Sequence, residues 1–297
     1  MISNNKRYLL VIIIIITFII MISILIEHNL NKILFIPPVY QYDINVMMKS
    51  IMNWMSGNCT EIKLGDTKCI LYNTSSKPSL YDGKDIIIYS YGNSCDVFGT
   101  LWSMQNKRSQ MYKLFEALAD RYNVLLYDYN GYGINKTDDK PTEEKVTNTL
   151  KNMILNLHKK GFKNNNIVLF GFSLGCGVTM NVISKLKMTD VKGVILLSGF
   201  SNLYDIASDF CEEYCYLKLL FKLIGWKIKG KFDNYSNIKK LNMHDKIYLL
   251  HSRLDEIISY EHALKLYSTG KCKLLDIDGT HNDPKYNDDA ISAIVKI

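Results

Sequence analysis

The sequence predicts an α/β protein built on a mostly parallel sheet covered on both faces, and three observations lead there. Short, continuously apolar runs recur at residues 85–89, 124–127, 167–170, 194–197, 247–250 and 274–277. Strands that read as unbroken rather than alternating apolar runs are buried on both sides. Helical periods lie between them, over 110–120, 142–160, 174–187, 260–268 and 284–297, and such a βα order builds parallel sheets. Composition agrees: 297 residues, 47% apolar and 22% charged, can bury a sizeable core, which excludes a disordered or collagen-like chain.

In chain order, the first element is an apolar run at residues 9–26, interrupted only by Thr17 and Ser23. Its length corresponds to about 27 Å of helix, close to the hydrocarbon thickness of a bilayer. No small-x-small cleavage site follows, so an uncleaved transmembrane anchor is expected rather than a signal peptide. Lys6 and Arg7 precede the run while Glu27 and His28 follow it. The positive-inside rule then puts the N-terminus in the cytosol and the remaining chain across the membrane. The expected organisation is an anchor at 1–30, a connector at 31–59 with the Pro37-Pro38 breaker and an amphipathic stretch near 46–55, and one domain at 60–297. An interval at about 201–245 separates two strands and is too long for an ordinary connection, so it reads as an inserted cap.

Lys and Arg exceed Asp and Glu by seven (36 against 29), which suits an anionic membrane surface. No zinc-finger spacing or RNA-binding signature accompanies that charge, so nucleic acid is not an expected partner. The seven cysteines include no CxxC pair, so neither a metal site nor a disulfide framework is indicated. Cys211 and Cys215, four residues apart, read as small buried side chains. Sequons at Asn58, Asn73, Asn135 and Asn234 are about as many as this Asn-rich composition supplies by chance and assign no compartment.

Chemistry concentrates where the third run, 167–170, passes into Gly171-Phe172-Ser173-Leu174-Gly175 and then a helical stretch. This is the strand, G-x-S-x-G, helix context of a nucleophile elbow. The tight turn strains the central residue and exposes its hydroxyl at the sheet edge, while the flanking glycines avoid collisions with neighbouring backbone. The helix opening at Leu174 aims free N–H groups at developing negative charge. A serine needs a base to take its proton and an acid to orient that base. Asp255 follows the run at 247–250 and is assigned as the acid, with Glu256 as its rival and Asp276 and Asp278 behind. His281 follows the run at 274–277 and is assigned as the base; His251, at a strand end, reads as structural. The oxyanion donors are assigned to the N–H groups of Leu174 and of Asn93, with Ser94 next, in the loop Tyr91-Gly92-Asn93-Ser94.

These motifs resemble the α/β-hydrolase fold of serine hydrolases, and more narrowly the membrane-associated Bem-type group containing alpha/beta-hydrolase-domain subfamilies thirteen and seventeen. The matching pieces, besides the elbow, are Tyr127-Asp128-Tyr129-Asn130-Gly131-Tyr132-Gly133, Phe232-Asp233-Asn234-Tyr235-Ser236-Asn237-Ile238, His251-Ser252-Arg253-Leu254-Asp255-Glu256 and Gly279-Thr280-His281-Asn282-Asp283. Tyr91-Gly92 and His251-Ser252 stand where the group usually has His-Gly. The resemblance implies a Ser173, Asp255, His281 triad working without a cofactor or metal. It also implies an acylated protein or lipid as substrate, with protein depalmitoylation the leading activity and a lipid esterase or a catalytically silent binding module as alternatives. The mix of large apolar residues and lysines at 216–229 suits a cap resting on an anionic bilayer.

Overall fold

The computed structural model describes residues 4–297 other than 42, 56, 213–217, 220, 223–224, 242 and 244, and within the first helix the side chains of 8, 12–22, 24–25, 31–32 and 34. Among the described residues the chain runs α1 (Asn4–Leu34), α2 (Ile44–Trp54), β1 (Cys59–Leu64), β2 (Thr67–Tyr72), β3 (Asp85–Ser90), α3 (Val97–Met104), α4 (Gln110–Arg121) and β4 (Tyr122–Tyr127). It continues through α5 (Glu143–Lys159), β5 (Ile167–Phe172), α6 (Leu174–Leu186), β6 (Gly193–Leu197) and α7 (Leu203–Glu212). The last elements are α8 (Asn234–Lys240), β7 (Ile247–Ser252), α9 (Tyr260–Tyr267), β8 (Cys272–Gly279), β9 (Pro284–Lys285) and α10 (Asp288–Val295).

The strands form one sheet in the order β1-β2-β4-β3-β5-β6-β7-β8-β9. The six strands from β4 to β8 pair in parallel, as expected, while β1, β2 and β9 are antiparallel additions at the edges. Every residue of β4, β5 and β6 is buried, which requires cover on both faces. Local chemistry sets the helix ends. Thr142 caps α5 by accepting from the Lys145 amide, and Lys187 closes α6 in a left-handed conformation, φ 52°.

One expectation is corrected. The helix expected at 284–297 starts only at Asp288, because Gly279 and Pro284 pair as strand residues and Asn287 provides the cap. Within the connector, Phe35, Met48 and Ile51 are buried in the core. Residues 4–34 are helical. Among the described residues no helix is long and apolar enough to cross a membrane.

The interval at about 201–245 lies between β6 and β7. It holds α7, a 3₁₀ turn at Gly225–Ile228 and α8. Main-chain bonds from Leu203 to Lys231 (3.2 Å) and from Tyr235 to Ser201 (2.9 Å) close it at its base. Cys215, His244 and part of the 216–229 stretch lie outside the described residues. Three of the sequons are structural: Asn73 and Asn234 are fully buried, and the Asn135 side chain donates to the carbonyls of Lys68 and Asp128.

Candidate active site

Ser173 is the single residue between β5 and α6, with φ 51° and ψ −116°. A non-glycine residue there stores about 1 to 3 kcal/mol of strain, which the surrounding main chain sustains. Ser173 N donates to Leu197 O (3.0 Å) and Ser173 O accepts from Cys176 N (2.9 Å). The flanking glycines are required by space: a Cβ on Gly175 would sit 1.9 Å from Ser90 O, and one on Gly171 would sit 2.6 Å from Gly175 O.

The ends of β7 and β8 deliver the other two groups. His281 Nε2 lies 3.1 Å from Ser173 Oγ, and His281 Nδ1 lies 2.8 Å from Asp255 Oδ2 and 3.0 Å from Oδ1. Burial alone would raise the Asp255 carboxyl, but the His281 hydrogen bond and the Ile258 amide outweigh it and hold the group below the usual carboxylate range. An ionised carboxylate only accepts, so His281 carries its proton on Nδ1 and turns the Nε2 lone pair toward Ser173. Phe172 lies against the imidazole, ring centroids 5.3 Å apart.

Glu256 is not in this line. Its Oε2 accepts from the backbone N–H of His281 at 3.0 Å, so it holds the main chain that carries His281. Asp276 is also outside, paired with Arg253 and Tyr260 at the surface. His251 is buried and donates to Ile258 O (2.8 Å); burial disfavours its charged form and lowers its pKa. Ser252, where the resembling group has glycine, accepts from Leu254 N (3.0 Å) and donates to Gly279 O (2.5 Å). It ties the loop of Asp255 to the strand leading to His281. Residue spacing carried no signal for these roles of Glu256 and Ser252.

The second expected oxyanion donor lies on the same side as Ser173. Gly92 has an ordinary φ, and glycine is needed there for space: a Cβ would lie 3.1 Å from the Phe172 ring and 3.2 Å from Ser173 Cβ. Asn93, Ser173 and Leu174 line one cavity of about 150 Å3. The Asn93 side-chain oxygen is already engaged by Ile36 N (2.9 Å), Ser94 N (3.1 Å) and Tyr132 OH (3.2 Å), leaving its main chain for a donor role. Below this loop, Tyr91 OH donates to Asp128 Oδ1 (2.6 Å) and accepts from Tyr129 N (3.0 Å). A tyrosine-carboxylate pair thus supports the loop where the resembling group has histidine. Among the described residues there is no cluster of three or more His, Cys, Asp or Glu able to hold a metal ion.

Sheet order, elbow and strand-end loops together define the α/β-hydrolase fold, and the chain adopts that fold. The phospholipase/carboxylesterase family, Abhydrolase_2, matches residues 120–212. A putative alpha/beta hydrolase of Acanthamoeba polyphaga mimivirus is 25% identical over 270 residues, 87% of this chain and 88% of that protein. Alpha/beta hydrolase domain-containing protein 17B of Homo sapiens is 25% identical over 212 residues, 68% of this chain and 62% of that protein. The solved alpha-beta hydrolase from Vibrio vulnificus superposes with a TM-score of 0.63 at 15% identity, covering 87% of this chain and 88% of that one.

Proposed function

We propose that this chain is a membrane-attached serine hydrolase of acyl esters and thioesters. The observation that carries the reading is the continuous relay from Ser173 Oγ through His281 to Asp255, at 3.1 and 2.8 Å. His281 Nε2 takes the Ser173 proton as Oγ attacks the acyl carbonyl, and Asp255 stabilises the imidazolium that forms. The N–H groups of Leu174 and Asn93 receive the oxyanion. Collapse of the tetrahedral intermediate returns the proton from His281 to the leaving thiolate or alkoxide. A water activated by the same imidazole then releases the acyl group as a carboxylate.

The cavity beside Ser173 supports an acyl substrate, since its walls are mostly apolar side chains such as Phe200, Leu203 and Phe232. The thioester of an acylated protein is the leading substrate, on the motif resemblance to subfamily seventeen. The match to phospholipases and carboxylesterases favours a lipid ester as the second reading. The apolar stretch at 9–26 supports attachment to the bilayer as a signal anchor. Labelling by a fluorophosphonate probe, with release of fatty acid from palmitoyl-cysteine peptide against lysophospholipid, tests both levels. No labelling of the wild-type chain rejects the serine hydrolase, and cleavage of the lysophospholipid alone rejects the depalmitoylase.

A further inference from the structure

The segment at residues 34–40, which joins α1 to α2, crosses the active site instead of passing it by. Three contacts pin it. The Phe35 ring is buried against Phe232, centroids 6.2 Å apart. The Ile36 amide donates to the Asn93 side chain at 2.9 Å. Tyr40 OH donates to Asp96 Oδ1 at 2.8 Å while its ring meets Phe98 edge-on at 5.4 Å. Between them Pro37 and Pro38 fix the backbone and carry no N–H to satisfy.

This strap brings Leu34 into the wall of the cavity that opens on Ser173. The facing wall is supplied by Leu203 and Ile206 of the cap and by Ile257 of the acid loop. None of these side chains carries a charge, so the space suits an alkyl chain. Leu34, the last residue of α1, thus lines this cavity together with residues of the cap and of the loops.

We infer that Leu34 is a specificity-determining residue that sets the length of acyl chain accepted, and that the strap from 34 to 40 positions Asn93 through the Ile36 amide. The inference rests on the serine hydrolase reading and deepens it. A pocket wall of this kind discriminates alkyl chains by roughly 10-fold or more per methylene-sized change in fit.

The test uses the full chain in detergent, with Leu34→Trp and Leu34→Ala, and reads kcat/KM for p-nitrophenyl acetate, octanoate and dodecanoate. Leu34→Trp should lower the octanoate-to-acetate ratio by about 10-fold, chiefly through KM, and Leu34→Ala should raise the dodecanoate-to-octanoate ratio. Shifts in opposite directions cannot come from a general loss of folding. Ratios within about twofold of wild type in both variants overturn the inference while leaving the hydrolase intact. Absence of fluorophosphonate labelling at Ser173 in the wild-type chain overturns the hydrolase reading and this inference with it.

Discussion

Asp255 and Glu256 are adjacent carboxylates that grip the same histidine by different atoms: Asp255 takes the imidazole Nδ1 at 2.8 Å, and Glu256 takes the backbone N–H of His281 at 3.0 Å. One sets the tautomer and the other sets where the residue stands. Their substitutions therefore separate. Asp255→Asn should lower kcat by about 10⁴, because an amide no longer enforces Nδ1 protonation. Glu256→Gln keeps an accepting oxygen for the His281 amide and should cost less than about 10-fold. Steady-state rates on a short acyl ester give the comparison, and a larger loss in the Gln variant would transfer the acid role to Glu256.

Ser173→Ala and His281→Ala should each abolish turnover, by on the order of 10⁶ for the serine, and the serine change should also end fluorophosphonate labelling. Ser173→Ala removes one 3.1 Å side-chain contact and leaves the elbow's main-chain bonds in place. Its circular dichroism and melting temperature should match wild type. Activity within tenfold of wild type would remove Ser173 from the mechanism.

The sequence revealed the parallel centre of this fold and missed its margins, for a physical reason. A strand buried on both faces must be apolar throughout, as in β5 and β6, and that pattern is visible without a structure. The edge strand β1, Cys-Thr-Glu-Ile-Lys-Leu, is only partly buried and mixes polar with apolar residues too briefly to stand out. Helix α3 escaped because five of its eight residues are buried, which erases the amphipathic period. Ser173, Asp255 and His281 stood out as candidates because each lies within three residues of the end of a strand. The Ile36–Asn93 bond joins residues 57 apart, and no local pattern announces it.

Asp128 should make stability depend on pH near neutrality. Burial, followed by the Asp96 carboxylate, raises its carboxyl to about 7, against the opposing bonds from Tyr91, Val97 and Ile134. The folded-state value lies above the unfolded one of about 3.9, so the folded protein holds a proton that the unfolded chain releases. That contribution is complete below about pH 4 and is lost as pH rises through about 7. In Asp128→Asn the side chain cannot titrate and puts an amide donor among groups that need acceptors, so it should be less stable throughout. Its deficit relative to wild type should shrink between about pH 5 and pH 8. Melting temperatures of both proteins across that range decide the matter, and a constant deficit would mean that Asp128 does not titrate there.

Attachment to the bilayer turns on the apolar surface of α1. In the fold Ile12, Phe18 and Leu25 stand 51%, 57% and 61% exposed on α1, and aliphatic or aromatic side chains left in water forgo about 1.5 to 3 kcal/mol each. Residues 9–26 would recover that in lipid, and Leu34 at the end of the same helix would then hold the acyl cavity close to the bilayer surface. The full chain should stay with membranes through an alkaline carbonate wash. Replacing Ile14 and Ile16 with lysine puts two charges near the middle of the run, each costing about 2.5 to 3.5 kcal/mol at a bilayer centre, and should move the protein to the supernatant. Ile16 is about 27 Å along the helix from Leu34, so the released variant should still cleave a soluble short-chain ester. A wild-type chain that washes off with carbonate would show that residues 9–26 do not span, and would leave the cap as the surface to examine for membrane contact.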